Sequence, residues 1–137
     1  MVQIRQKGQR AERELCAMFN EAFSLDCVRN LMQTMVGGDD LTSVPHFSVE
    51  CKNHETSSVG TWYTQSAKSA TRGSKIPVVC WKVKRKGWKI LIAVEHIPPA
   101  VWESITDPEK AGSRLYDNLV WLTWEQFKMV YNWYEAN

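Results

Sequence analysis

Apolar positions first recur at helical spacing near the amino end: in residues 8 to 23, GQRAERELCAMFNEAF, Ala11, Leu15, Met18, Phe19 and Ala22 fall three or four apart. A helix with one apolar face requires that spacing, and Glu12 follows Ala11 on the edge of the face. Ser24 to Arg29 reads as a turn leading into a short extended piece, and Gly37-Gly38-Asp39-Asp40 as a flexible, acidic loop. The period then drops to two. Phe47, Val49 and Cys51 alternate with Ser48, Glu50 and Lys52, which predicts a strand carrying Glu50 and Lys52 side by side on one face.

Residues 61 to 72 (TWYTQSAKSATR) predict a helix ending at Gly73, with Gln65, Lys68 and Arg72 on related turns. Ile76 to Val83 and Trp88 to Val94 predict two strands joined by Lys84-Arg85-Lys86-Gly87, a hairpin turn that projects a basic tip. Pro98-Pro99 stops the second strand and begins a helix through Ile105, after which Thr106 to Ser113 is polar loop. Leu119 to Leu122 predicts a short strand, and Thr123, with Gln126 three positions on, caps a helix from Trp124. The order helix, strands, helix, strands, helix belongs to the α/β or α+β class: a central mixed β-sheet flanked by helices, in a single domain over residues 1–137.

Composition narrows the class. A chain of 137 residues that is 44% hydrophobic and holds seven tryptophans has the apolar area for a core, which excludes a disordered protein. No apolar run approaches the roughly 20 residues of a membrane span, and Met1 to Arg10 is polar and basic without a leader-like apolar stretch, so a cytoplasmic location is expected. Cys16, Cys27, Cys51 and Cys80 are scattered without a CxxC pair, which suggests reduced thiols rather than a zinc site or a disulfide framework. The net charge of +2 is small, but its distribution is uneven. Between Glu55 and Glu95 there is no acidic residue, while Lys68, Arg72, Lys75, Lys82, Lys84, Arg85, Lys86 and Lys89 all fall there. Such a stretch is either a solvated basic surface or a surface for a phosphate backbone.

Chemistry concentrates at Gly38-Asp39-Asp40, nine residues, then Glu50-Cys51-Lys52 at the end of an apolar strand. Carboxylates from a loop and an adjacent strand suit a divalent cation, and a lysine beside it suits a phosphate that gains charge during hydrolysis. The bland alternative is that Glu50 and Lys52 are an exposed ion pair on an edge strand.

These residues resemble the PD-(D/E)XK nuclease superfamily, and within it the archaeal-type and phage-encoded Holliday junction resolvases. Lys7-Gly8-Gln9-Arg10-Ala11-Glu12-Arg13 resembles the resolvases' opening Lys-Gly, three residues, Glu-Arg; Gly38-Asp39-Asp40-Leu41 resembles the loop aspartate with its aliphatic successor; and Val49-Glu50-Cys51-Lys52 resembles the strand motif. Trp62 to Ala70, an aromatic helix containing glutamine, and the hairpin of residues 76 to 94 continue the likeness, which ends near Glu95. The family's leading proline is replaced by Asp39; Leu41 points to Asp40 as the matching aspartate.

The resemblance implies a restriction-endonuclease-like fold and an Mg2+-dependent endodeoxyribonuclease, with Mn2+ as a substitute. It implies Asp40, Glu50 and the Cys51 carbonyl as metal ligands with Glu12 completing the site, Lys52 as the catalytic lysine, and Gln65 as an orienting residue. It also implies a homodimer acting on branched DNA. Lys7, Arg10, Arg13, Lys68, Arg72, Lys75, Lys84, Arg85 and Lys86 are the expected phosphate contacts. A restriction-like or general nuclease, and a noncatalytic DNA-binding protein on the same fold, stay open. His46, His54 and His96 read as surface or hydrogen-bonded residues, and the tryptophans as core, with Trp62 and Trp88 as candidates for stacking on exposed bases.

Overall fold

The computed structural model describes residues 2–31, 40–71, 74–104, 114–116 and 118–137, without the side chains of residues 2–7 and several others at segment ends. The loop expected over Gly37 to Asp39, the helix end at Arg72 and Gly73, and the stretch from Ile105 to Ser113 lie outside the described residues.

Helix α1 runs Val2–Phe23, a turn and a half further toward the amino end than its apolar stripe required. Its buried residues are Ala11, Leu15, Cys16 and Phe19. Two-residue strands β1 (Val28–Arg29) and β2 (Leu41–Thr42) pair antiparallel beside it. Strand β3 is Phe47–Lys52, as the alternation predicts, followed by helix α2 (Val59–Thr71), β4 (Ile76–Val83) and β5 (Gly87–Ala93). A 3-10 turn at Val94–His96, helix α3 (Pro99–Ser104), β6 (Arg114–Tyr116), β7 (Leu119–Thr123) and helix α4 (Trp124–Ala136) complete the order.

Five strands form a mixed sheet in the order β3-β4-β5-β7-β6. The pair β3 and β4 is parallel, as a strand–helix–strand crossover through α2 demands, and the other pairs are antiparallel. Because side chains alternate and helices cover both faces, the sheet separates two apolar layers. Phe47, Val49, Val78, Cys80, Ile90, Ile92 and Leu122 meet Leu15 and Phe19 of α1 and Phe127 and Val130 of α4. On the opposite face Val79, Leu91, Ala93 and Trp121 meet Val59 and Trp62 of α2.

This packing corrects one expectation. Trp62 is 5% exposed and packs edge-on to Trp81, while Trp88 is partly buried against the larger core, so both serve the interior instead of offering a face to bases. Strands β2 and β6 were not signalled, since two- and three-residue strands carry no measurable period. The Thr123 capping box is formed as expected: its hydroxyl accepts from the Gln126 amide at 3.1 Å, and the Gln126 side chain accepts from the Thr123 amide at 2.8 Å.

Candidate active site

Strand β3 lies at the edge of the five-stranded sheet, so one side of its backbone needs partners other than a strand. Asp40 supplies two. Its amide donates to the Val49 carbonyl at 2.8 Å, and its Oδ2 accepts from the Cys51 amide at 2.7 Å. The Asp40 carbonyl in turn accepts from the Asn30 amide at 2.8 Å. Asp40 is therefore a fixed, buried residue at the start of β2, not a flexible one, and its carboxylate sits against the peptide that joins Glu50 to Cys51.

Glu50 is 2% exposed, which removes the reading of an ordinary exposed pair. It stands in register with Val79, whose side chain belongs to the layer under α2, and Lys52 stands in register with Trp81 on the same face. From α2, Gln65 reaches back to that face and accepts from the Lys52 Nζ at 2.8 Å. Glu50, Lys52 and Gln65 are thus joined by strand and helix geometry on one side of the β3 end, with Asp40 along the open edge.

Glu12 approaches from α1. Arg29, which no motif marks, donates from its Nε to the Glu12 Oε1 at 2.9 Å. Burial raises the Glu12 carboxyl above its ordinary range; the Arg29 hydrogen bond opposes that shift and the negative charge of Asp40 adds to it. The Asp40 charge thus acts unfavourably on an ionised Glu12.

That repulsion is what a cation would relieve, and the donors available are hard oxygens: the Asp40 and Glu50 carboxylates and the Cys51 carbonyl. Among the described residues no three His, Cys, Asp or Glu side chains converge tightly enough to cage an ion alone. A donor set of one or two carboxylates with water and phosphate oxygens filling the rest is the usual manner of Mg2+, so the residues fit that ion better than a dedicated cage. Cys51 contributes no thiolate: burial, then the charges around it, pushes its thiol far above the ordinary range.

The remaining cationic residues divide. Arg10 and Arg13 are exposed on α1, Lys68 on α2, and Lys84, Arg85 and Lys86 at the hairpin tip. Lys75 is engaged within the fold, its Nζ donating to the Val44 carbonyl at 2.8 Å. Arg72 and the Lys7 side chain lie outside the described residues. His46 pairs with Glu135 at 3.0 Å and His96 lies 3.9 Å from Glu95. The sequence marks Arg10, Lys84 and Arg85 as separate basic residues; that they line one concave surface of about 390 Å³ with Asn53, His54, Glu55 and Lys82 depends on the fold.

One comparison with known proteins shows the class. A family described as "Phage putative PDDEXK endonuclease" matches residues 3–133. A comparison with curated proteins gives no match. Among solved structures, Hjc of Archaeoglobus fulgidus, a Holliday junction resolvase from an archaeal hyperthermophile, is similar at 14% identity with a TM-score of 0.49, over 90% of this chain and 88% of that one. The family match spans nearly the whole chain, from α1 through most of α4, and the chain therefore belongs to the phage PDDEXK endonuclease family.

Proposed function

We propose that the chain is a divalent-metal-dependent endonuclease that hydrolyses phosphodiesters of branched DNA, in the manner of a phage Holliday junction resolvase acting as a homodimer in the host cytoplasm. The observation that carries the active-site part is the geometry at the β3 end: the Asp40 carboxylate fixed on the Cys51 amide at 2.7 Å, a buried Glu50 beside that peptide, and Lys52 tethered to Gln65 at 2.8 Å.

Asp40 and Glu50, with the Cys51 carbonyl, would hold Mg2+ or Mn2+, and Glu12 would add negative charge from α1. When bound, the ion supplies Lewis-acid activation of water and neutralises phosphate charge. The chain's own contribution is positioning. Gln65 holds the Lys52 ammonium on the Glu50 face, where it meets the charge that builds on phosphate oxygens during attack. Substrate is held by its backbone rather than its bases, because exposed cations are plentiful and the tryptophans are committed to the core. Support for a branched substrate is the likeness of the Lys7 to Arg13, Asp40-Leu41 and Glu50 to Lys52 segments to the resolvases.

The test compares four-way junction, flap and linear duplex of matched sequence in Mg2+. Paired symmetric nicks confined to the junction are expected. Equal cutting of all three would replace the resolvase reading with a general nuclease, and junction binding without cutting would make the protein a noncatalytic binder.

A further inference from the structure

We infer that the concave surface between α1 and the β4–β5 hairpin is a track for the phosphodiester backbone of the DNA strand beyond the reacting phosphate; this rests on the nuclease reading above. Two segments far apart in sequence bring cations to it: Arg10 from α1, and Lys82, Lys84 and Arg85 from the end of β4 and the hairpin turn that follows it. Lys82 is neutralised by Glu14, at 2.7 Å. Arg10, Lys84 and Arg85 form no ion pair among the described residues, which leaves their charge available to an anion. Glu55 is the one acid in the lining.

Two further features separate this surface from a merely solvated basic hairpin. Arg85 adopts φ 65°, a left-handed conformation that costs a side-chain-bearing residue about 1 kcal/mol or more and that glycine would accept freely. The turn thus carries a long cationic side chain, beside the concave surface, at a position that favours glycine. The wall is also tied to the site. Asn53 and His54 continue the chain from Lys52, and the His54 carbonyl accepts from the Trp81 Nε1 at 2.8 Å, which ties this wall to β4, the neighbour of β3 in the sheet. A cation-lined channel fixed to the end of β3 suits a polyanionic strand in extension of the cleaved bond; it does not suit a metal, which its cations would repel.

The experiment is a fluorescence-anisotropy titration of a four-way junction and a matched duplex in EDTA, where no cleavage intervenes, over a series of salt concentrations. Arg10→Ala, Arg85→Ala, Glu55→Gln and a control, Lys128→Ala on α4, are compared with the parent, each checked by thermal melting. Each arginine removed from the track is expected to lower the slope of log K against log salt by about one, because one fewer phosphate is neutralised. Glu55→Gln is expected to tighten binding, and Lys128→Ala to leave slope and affinity as they were. Folded arginine variants that keep the parent slope would overturn the track while leaving the nuclease reading intact. A parent that binds neither DNA at low salt, in EDTA or with Ca2+ in its place, would remove the nuclease reading, and the track with it.

Discussion

One hydrogen bond sets how much freedom the Lys52 ammonium keeps. With Gln65 as acceptor at 2.8 Å, the four-carbon side chain is held on the Glu50 face; without it, several rotamers open toward solvent. Lys52→Ala should lower single-turnover cleavage by about 100-fold or more, the usual cost of a lost charge-stabilising donor. Gln65→Ala should cost less, about 10-fold, because the ammonium is misplaced rather than removed. Neither change should alter the melting temperature much, since Gln65 is exposed and Lys52 partly so. Equal losses in the two variants would mean that Gln65 has a direct role. The thiols behave oppositely to reactive groups. Burial, reinforced by the neighbouring Cys27, pushes Cys16 from 9.0 up to about 12, so at pH 8 its thiolate fraction is roughly one in ten thousand. Native protein at pH 8 should resist alkylation at Cys16, read by mass spectrometry, while unfolded protein is modified. The sign for stability follows: the folded state retains the proton, so this contribution is present below pH 9 and is lost as pH climbs toward 12.

At the scale of elements, caps and turns decide stability. Thr123→Ala breaks both halves of the α4 capping box and should cost about 1 kcal/mol, lowering the melting temperature by about 3 °C. Arg85→Gly should do the reverse for stability, because relief of the φ 65° strain outweighs the added backbone entropy of glycine, while DNA binding weakens. A variant both less stable and weaker in binding would contradict that account of the turn. The same elements explain what a sequence discloses. Strand β3, the β4–β5 hairpin and the α4 cap are written in local periods and local hydrogen bonds, and their ranges were legible to within a residue or two. Strands β2 and β6 depend on partners supplied by the sheet, and the burial of Trp62 depends on Trp81 and Trp121 across it. The Glu12–Arg29 pair spans 17 residues with no motif to mark it. Asp40, Glu50 and Lys52 were singled out because their spacing is motif-like; that Asp40 closes the sheet edge was not legible, since it needs the backbone of Val49 and Cys51 in place.

For the whole molecule, the decisive feature is a buried acidic edge set beside a basic surface. Asp40 and Glu50 are 7% and 2% exposed, and burial raises the Glu12 carboxyl above its ordinary range, so carboxyl groups gather where little water reaches them. Binding of Mg2+ or Mn2+ there should stabilise the fold, by about 2.7 kcal/mol when the free ion is 100 times its dissociation constant, and the upward shift in melting temperature should vanish in Glu50→Gln. Calcium, larger and also an oxygen binder, should stabilise without supporting rapid cleavage if the site discriminates by geometry. The most direct test of the central claim is cleavage of a labelled four-way junction by the parent, Asp40→Asn and Glu50→Gln in Mg2+, with EDTA added and then overtitrated with Mg2+. Cutting that stops with EDTA, returns with Mg2+ and falls by at least about 100-fold in both folded variants is the predicted result. Cutting that persists in EDTA, or at the parent rate in either variant, would contradict a metal-dependent site at the end of β3.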